Sequence, residues 1–307
     1  MNSTNITVRN LTLTKNYEGV LFVHTENSRI ENVSVSNNNY GIHLYFSNNN
    51  ILYGNIANSN YDYYGIYLLS SSNNVLQNNI ANSNNNCGIC LWNSTSNTLY
   101  SNIANSNRCG IWLRSSSDNT LKNNIANSNL RGSGICMSYS SSNILTSNTA
   151  SNNKYGIYLY YLSNNKIYLN NFINNTDNTY PHYFSSNVWN STSKMTYMYN
   201  KTTYTNYLGN YWSDYTGSDA DGDGIGDTHY SIYGDNSDKH PLMQPWVGAT
   251  LQKGDLNGDD QITSADAAIA LGMAVRGEYN PTADVNGDGS VTSLDALMIL
   301  QICGLES

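Results

Sequence analysis

The sequence predicts a mainly β protein: a right-handed parallel β-helix of about seven to eight coils, followed by a small C-terminal α-helical domain of two loop–helix units. Three observations predict it. A glycine-led phrase recurs every 22–24 residues from Gly41 to Gly156. Asparagine returns at fixed distances behind each of those glycines. Two near-identical acidic stretches, DLNGDDQITSAD (255–266) and DVNGDGSVTSLD (284–295), each run into an apolar segment of helical length.

The phrases GIHL, GIYL, GICL, GIWL, GICM and GIYL open at Gly41, Gly65, Gly88, Gly110, Gly134 and Gly156, and GVLF at Gly19 is an earlier, worn copy. A period in this range marks stacked supersecondary units. Apolar residues alternate within each phrase, as in Ile42/Leu44 and Ile111/Leu113, which is strand periodicity. No 3.6-residue pattern runs through the repeats. Short strands joined by turns then stack coil on coil at about 4.8 Å.

Stacking sets equivalent positions directly above one another. Nine residues after each glycine stand Asn50, Asn74, Asn97, Asn119, Asn143 and Asn165. Fourteen after stand Asn55, Asn79, Asn102, Asn124, Asn148 and Asn170. A file of amides can hydrogen-bond from coil to coil, since each side chain both donates and accepts. Asparagine also tolerates tight corners. The hexapeptide NIANSN, at 55–60, 79–84, 102–107 and 124–129, reads as a strand with its corner: Ile inward, Asn in the ladders and turns.

These phrases resemble the β-helical repeat of NosD-like periplasmic copper-protein relatives and the carbohydrate-binding and sugar-hydrolase repeats, over roughly residues 1–246. That resemblance implies the fold and leaves the chemistry open. With Ile and Leu inward, the positions two and four after glycine face out. They hold His43, Tyr67, Cys90, Trp112, Cys136 and Tyr158, then Tyr45, Leu69, Trp92, Arg114, Ser138 and Tyr160. Aromatic rings stack on sugar rings, so Tyr67, Trp92, Trp112 and Tyr158 are the expected carbohydrate-binding residues.

A β-helical polysaccharide lyase or glycoside hydrolase is the alternative. It needs paired carboxylates, or calcium-binding acids with a basic residue. The coils offer only Glu18, Glu26, Glu31, Asp62 and Asp118, no two at matching positions in adjacent coils. His24 and His43 have no evident acidic partner. This supply of acids leans away from catalysis, and no residue stands out as catalytic. Periplasmic copper handling is a second alternative, suggested by the NosD resemblance. It needs soft or imidazole ligands, and the histidines and cysteines are scattered along the chain. Cys87 and Cys109 precede the glycines of consecutive coils, about 4.8 Å apart, inside the disulfide window. Their parallel side-chain directions oppose the bond. Cys90 and Cys136 are two coils apart and cannot pair directly, and Cys303 stands alone.

Charge is divided along the chain. Residues 1–175 hold nine Lys/Arg and five Asp/Glu, a balance of +4; residues 176–307 hold five and seventeen, a balance of −12. Clustered acids need a neutralising cation. In DADGDGIGD (219–227), Asp219, Asp221, Asp223 and Asp227 alternate with small residues, a pattern similar to thrombospondin-type calcium repeats, with Asp235 or Asp238 as further donors. The expected organisation is coils over 1–175, a cap with this acidic loop over 176–246, a linker at 247–253 and the helical domain over 254–307. The tyrosine-rich 176–213 segment is expected to cover the last coil.

The two C-terminal acidic stretches fit the twelve-residue EF-hand frame. The first offers Asp255, Asn257, Asp259, the carbonyl of Gln261, Thr263 and Asp266; the second offers Asp284, Asn286, Asp288, the carbonyl of Ser290, Thr292 and Asp295. Position 12 is Asp in place of Glu, and position 6 of the first loop is Asp260 in place of Gly. Only an exit helix follows each loop. This duplicated loop–helix resembles a type I dockerin over about 251–307. The resemblance implies calcium as cofactor and a cohesin module of a scaffoldin or surface protein as partner, in a cellulosome-like assembly. Positions 10 and 11, Ser264/Ala265 and Ser293/Leu294, would then touch the cohesin, with Met273, Arg276, Ile302 and Leu305 on the same face.

Calcium sites of this kind fill at extracellular concentrations, which implies a secreted or cell-surface protein. The N-terminus lacks a signal-peptide pattern, so the chain is expected to be a mature part or a fragment. No run of about 18 apolar residues offers a membrane span. The acidic balance, −8 overall, gives no footprint for nucleic acid.

Overall fold

A computed structural model describes residues 3–182, 186–234, 236–247, 254–256, 262–276, 283–286 and 290–305. The chain divides into two compact units: 1–199 with 204–246, and 247–307 with 200–203.

The first unit is a parallel β-helix. One wall is an eight-stranded parallel sheet of the glycine phrases, from Glu18–Val23 through Tyr40–Tyr45, Tyr64–Leu69, Cys87–Trp92, Cys109–Arg114, Ser133–Ser138 and Tyr155–Tyr160 to Asp177–His182. A second eight-stranded sheet uses three-residue strands, Thr7–Arg9 through Lys166–Tyr168. The third side is interrupted. Strands Thr12–Thr14, Ser34–Ser36 and Ile56–Asn58 pair below, Thr149–Ser151, Asn171–Ile173 and Tyr211–Trp212 pair above, and single bridges at Ile80, Ile103 and Ile125 connect them.

Each coil buries the same set: Ile66, Leu68, Leu76 and Ala81 in one, Ile89, Leu91, Leu99 and Ala104 in the next. The alanine is a correction to the reading of NIANSN. Ala57, Ala81, Ala104 and Ala126 face inward, while Ile56 and Ile125 are exposed. The glycine column explains it. A Cβ on Gly110 would sit 2.5 Å from the Gly134 carbonyl oxygen and 2.8 Å from the Ala126 methyl. In the middle coils the interior opposite glycine holds an alanine methyl; toward the ends Val35 and Phe172 fill the same column opposite Gly19 and Gly156.

The asparagines form the predicted ladders, and a third exists. Asn60, Asn84, Asn107, Asn129 and Asn153, nineteen residues after their glycines, are buried as well. Asn97 shows the chemistry. Its Nδ2 donates to Asn119 Oδ1 (3.1 Å) and to the carbonyls of Ser71 and Thr95 (3.0 and 3.1 Å). Its Oδ1 accepts from the Asn74 backbone N–H (2.8 Å) and Nδ2 (3.1 Å). A shorter serine ladder runs through Ser47, Ser71, Ser94, Ser116 and Ser140. The residue before each ladder position adopts positive φ, as at Asn73 (57°), Ser96 (56°) and Asn123 (58°). The corner is therefore a pair: a left-handed residue makes the bend, and the next residue turns its amide inward.

Tryptophan closes the upper end. Trp212 stacks on Phe172 (4.5 Å) and Tyr230 (4.4 Å), with Trp189 6.1 Å away. Asp238 terminates an asparagine ladder. Asn170 donates to Asn210 Oδ1 (2.9 Å), and Asp238 Oδ2 accepts from Asn210 N–H (2.7 Å) and Trp212 Nε1 (2.9 Å). It is thus a structural residue of the cap, not a further donor to the acidic loop. Asp235 lies outside the described residues. Burial raises the Asp238 pKa to about 6 against the pull of these hydrogen bonds.

The second unit holds α1 (Ser264–Arg276) and α2 (Ser293–Leu305) packed on each other. Ile262, Ala267 and Ala270 on one side and Ala296 and Ile299 on the other make its core. Ala267 and Ala296, and Ala270 and Ile299, stand at matching positions of the two repeats.

Asn97→Leu is expected to lower the unfolding free energy by about 1–3 kcal/mol, because Asn74 and Asn119 lose partners in a dry corner; equilibrium urea unfolding checks it. Asp238 gives a pH signature. A folded pKa of about 6 above the ordinary 3.8 means its contribution is fully present below 3.8 and is lost as pH rises through 6. The loss is on the order of 3 kcal/mol. Unfolding of the first unit from pH 3.5 to 7 should show that slope, and Asp238→Asn should remove it.

Candidate functional site

The outer face of the glycine-strand sheet differs from the expected open row of rings. Tyr67 is only 5% exposed and Cys90 is buried. Tyr67 packs with Tyr64, Cys87, Cys90 and Cys109 in a second apolar cluster outside the coil interior. Trp92, Trp112 and Cys136 cover that cluster, and Arg114 lies over the Trp92 ring at 3.8 Å. Alternation sets these side chains outward, but neighbouring coils and the bends before each strand then enclose them. Tyr67 therefore offers no ring face to a sugar; Trp92, Trp112 and Tyr158 remain partly exposed.

His43 does have an acidic partner. Its Nδ1 lies 2.9 Å from Glu18 Oε1, one coil below. The ring is held between Tyr40 (5.2 Å) and Tyr67 (4.8 Å). The pair was hidden because Glu18 precedes Gly19 while His43 follows Gly41, so their column numbers differ. Its other polar atoms, His43 Nε2 and Glu18 Oε2, are enclosed as well. The pair is mostly enclosed, with side-chain exposures of 13% for His43 and 16% for Glu18.

The exposed rings are elsewhere. Five residues after the glycine, all with positive φ, stand His24 (47°), Phe46 (47°), Ser70 (50°), Asn93 (50°), Ser115 (48°), Tyr139 (51°) and Tyr161 (51°). Small polar residues suit this conformation; bulky aromatics there are outliers, and such backbone positions cost of order 1–3 kcal/mol each. His24 stacks on Phe46 at 5.3 Å and 7°, and Tyr139 on Tyr161 at 5.3 Å and 6°. Tyr45 and Tyr160 pack edge-on against these pairs. Phe46, Tyr139 and Tyr161 are all largely open to solvent. Reading the fifth column of the repeat would have found them.

In the acidic loop, Asp219, Asp221 and Asp223 each bring an oxygen within 4.8 Å of the others. Asp219 also accepts the N–H of Asp223 and Gly224 (both 3.0 Å), and Gly222 and Gly224 make the bend at positive φ. Tyr197 and Tyr204 hold the carbonyls of Asp223 and Gly222 (2.8 and 2.9 Å). Asp227 is not in this group; it accepts from Ala220 N–H (2.8 Å) and Ser218 Oγ (3.1 Å).

The two C-terminal loops repeat one device. Asp266 Oδ2 accepts the N–H and hydroxyl of Thr263 (2.8 and 3.0 Å), and Oδ1 accepts Leu256 N–H (2.8 Å). Thr263 Oγ1 in turn accepts Ala265 N–H (3.2 Å). Asp295 and Thr292 do the same, with Asn286 N–H at 3.3 Å and Leu294 N–H at 3.2 Å. This reciprocal cap starts each helix and fixes the position-12 carboxylate. Burial opposes the charge on Asp295, but the bonds from Thr292 and Asn286 outweigh it and hold its carboxyl below the usual range. Asp255, Asp266, Asp284 and Asp295 are buried. Asn257, Asp259, Gln261 and Asp288 lie outside the described residues.

Ser264, Ala265, Ser293 and Leu294 are exposed at equivalent first-turn positions. Met273 and Ile302 are half-buried, Ile302 against the helical core, while the side chains of Arg276 and Leu305 lie outside the description.

The family model for the periplasmic copper-binding protein NosD matches residues 1–130 and 128–217. The chain belongs to the NosD family. Its C-terminal residues 253–302 match the type I dockerin domain, so this is a NosD-family β-helix followed by a dockerin. None of the curated proteins matches the chain. Among solved structures, the A-module of mannuronan C-5 epimerase AlgE6 from Azotobacter vinelandii is similar at 14% identity and TM-score 0.53, covering 60% of this chain and 58% of that one. The AlgE4 A-module of the same organism matches at 15% identity and TM-score 0.49 over 60% and 58%. The chain thus spans less than two thirds of either module, and the likeness to the AlgE6 module shows the parallel β-helix fold. Among the described residues no helix is long and apolar enough to cross a membrane.

Asp295 sets a prediction opposite in sign to that of Asp238. Its lowered pKa gives stability that is present above the unfolded carboxylate value and is lost as pH falls through the folded one. The helical signal of the second unit should melt earlier on acidification, and Asp295→Asn should flatten that dependence.

Proposed function

We propose that the protein is an exported polysaccharide-binding module, fastened by its dockerin through calcium to a cohesin-bearing assembly. The observation that carries the tether is the duplicated, capped position-12 aspartate in a segment matching the dockerin type I domain. In each loop, carboxylates at positions 1, 5 and 12 would ring one ion. Asp255 and Asp266 in the first, and Asp284 and Asp295 in the second, are already buried. Without a divalent cation these charges repel, and two short helices bury too little to hold them. Calcium binding then supplies folding free energy. Asp219, Asp221 and Asp223 are proposed as a further calcium site of the cap.

Ser264/Ala265 and Ser293/Leu294 would meet the cohesin, each pair in one of two orientations related by the internal repeat. The families involved support an extracellular or periplasmic location.

The glycan reading rests on the aromatic corner. His24–Phe46 and Tyr139–Tyr161 lie on the same edge, four coils or about 19 Å apart. An extended polysaccharide lying along the coil axis would stack on both pairs. Trp92, Trp112 and Tyr158 border the same path, and Arg114, Asn93 and Ser115 would hydrogen-bond hydroxyl or carboxylate groups between them.

Two experiments test the reading. Capture by a panel of cohesins should occur with calcium and vanish with chelator; Asp255→Ala with Asp284→Ala should abolish it, whereas Ser264/Ala265 changes alone should leave binding through the second face. Capture that survives chelation would overturn the tether. Affinity electrophoresis on soluble plant and algal polysaccharides should show retardation that drops about tenfold or more when Phe46 and Tyr161 become alanine, since each stacked ring contributes about 0.5–1.5 kcal/mol beyond its area. Retardation unchanged in that variant would reject the aromatic platform.

A further inference from the structure

A cleft of about 420 Å³ opens where the second wall of the β-helix meets the cap. Val188 bridges Lys166 and so continues that wall by one more rung. The strand Asn236–Asp238 lies beside it, and the Asn187 N–H donates to Asn236 Oδ1 (3.2 Å). The cleft between these two segments is lined by Val188, Trp189, Asn190, Asn236, Ser237 and Lys239, among others. No carboxylate is among the described residues that line it. Asp238, the neighbour of both Ser237 and Lys239, is turned away to the Asn210 N–H and Trp212 Nε1 (2.7 and 2.9 Å). Lys239 is exposed and makes no ion pair among the described residues. Asn236 uses its Oδ1 on Asn187, and Asn190 donates to the Ser191 carbonyl (2.8 Å). The amide nitrogen of the first and the amide oxygen of the second remain for a ligand. Trp189 is 2% exposed, and its indole N–H is enclosed with no acceptor. A buried donor left unpaired is rare in a native fold and needs a reason.

We propose that this cleft binds a sugar acid: a small molecule or chain end with several hydroxyls and a single carboxylate. Its volume falls within the range of small-molecule sites. Lys239 carries the only charge among the lining residues and would hold the carboxylate through a charge-assisted hydrogen bond. Asn236 would donate to one hydroxyl, Asn190 would accept from another, and Ser237 can do either. Val188, 38% exposed, offers an apolar surface to the C–H side of the ligand. A ligand oxygen brought to the floor of the cleft would complete the Trp189 indole N–H. Phosphate suits the cleft less well, because it carries more charge than one lysine balances. Neither Phe46 nor Tyr161 lines the cleft, so the site is independent of the glycan path and of the cohesin tether.

The test is titration of the full-length protein, in calcium buffer, with D-glucuronate and D-gluconate, followed through the tryptophan indole signals in nitrogen–proton correlation spectra. One indole signal should shift saturably, and it should be the signal missing from Trp189→Phe. Glucose and acetate each carry half of the chemistry and should bind about tenfold more weakly or worse. Lys239→Ala should weaken sugar-acid binding about tenfold or more while the melting temperature stays unchanged, because the lysine is exposed. Phe46→Ala with Tyr161→Ala should leave binding intact, which separates this site from the aromatic corner. The methyl glycoside of glucuronate sorts the source of the ligand. If it binds as well as the free acid, the cleft takes a chain end; if only the free acid binds, the cleft takes the monomer; both results uphold the site. An absent shift at high sugar-acid concentration, an equal response to acetate or glucose, or equal binding by Lys239→Ala would overturn the proposal.

Discussion

A buried amide needs partners, and in a coil most of them come from the coil above or below. That constraint organises the first unit. Asn97 finds partners in Asn74 and Asn119 of the same column and in the Ser71 carbonyl of the neighbouring coil. A column works only if each coil returns to the same height and phase. The returning corner uses a residue at positive φ, and the inward turn uses the ladder residue after it. Glycine follows from the same demand: Gly110 sits against Ala126 and the Gly134 carbonyl, so the interior has one permitted size at that point. Ends need their own solution, and the protein uses tryptophan stacking and the Asp238 carboxylate, which receives the final donors of an asparagine ladder.

Because the interior is committed to architecture, function falls to the outside and to the second unit. The outer wall has two faces with different physics. Its centre is closed, with thiols and rings packed under Trp92 and Trp112. Its edge is open, and carries stacked aromatics at backbone positions that cost energy to occupy. The helical unit reaches a fold by the opposite route. Its core is small and largely alanine, and its loop carboxylates are buried.

Much of this was legible in the sequence. Six glycines at 22–24-residue intervals, with Asn at +9 and +14, carry the coil count and two ladders. The duplicated loops carry the dockerin. The rest was not legible for stated reasons. The Asn60 ladder stands nineteen residues after glycine, at the end of the NIANSN unit, where asparagine equally suits an ordinary turn. Ile and Ala in that unit are both apolar, so composition alone does not set the phase of the strand, which the coil register fixes with Ala in the Val35–Phe172 column. Glu18 and His43 meet although their offsets from glycine differ, because side chains reach across strands. The cysteines are distant in number and near in space, and only the coil register brings them together.

Native-state hydrogen exchange followed by mass spectrometry tests the central constraint most directly. The account predicts that amides of the interior coils, about residues 64–170, exchange together and only through opening of the whole β-helix, since every ladder joins adjacent coils. Asn124→Leu should then raise exchange in the coils on both sides, not at its own corner alone. Coils that exchange one by one, with the effect of Asn124→Leu confined to residues 120–130, would contradict it.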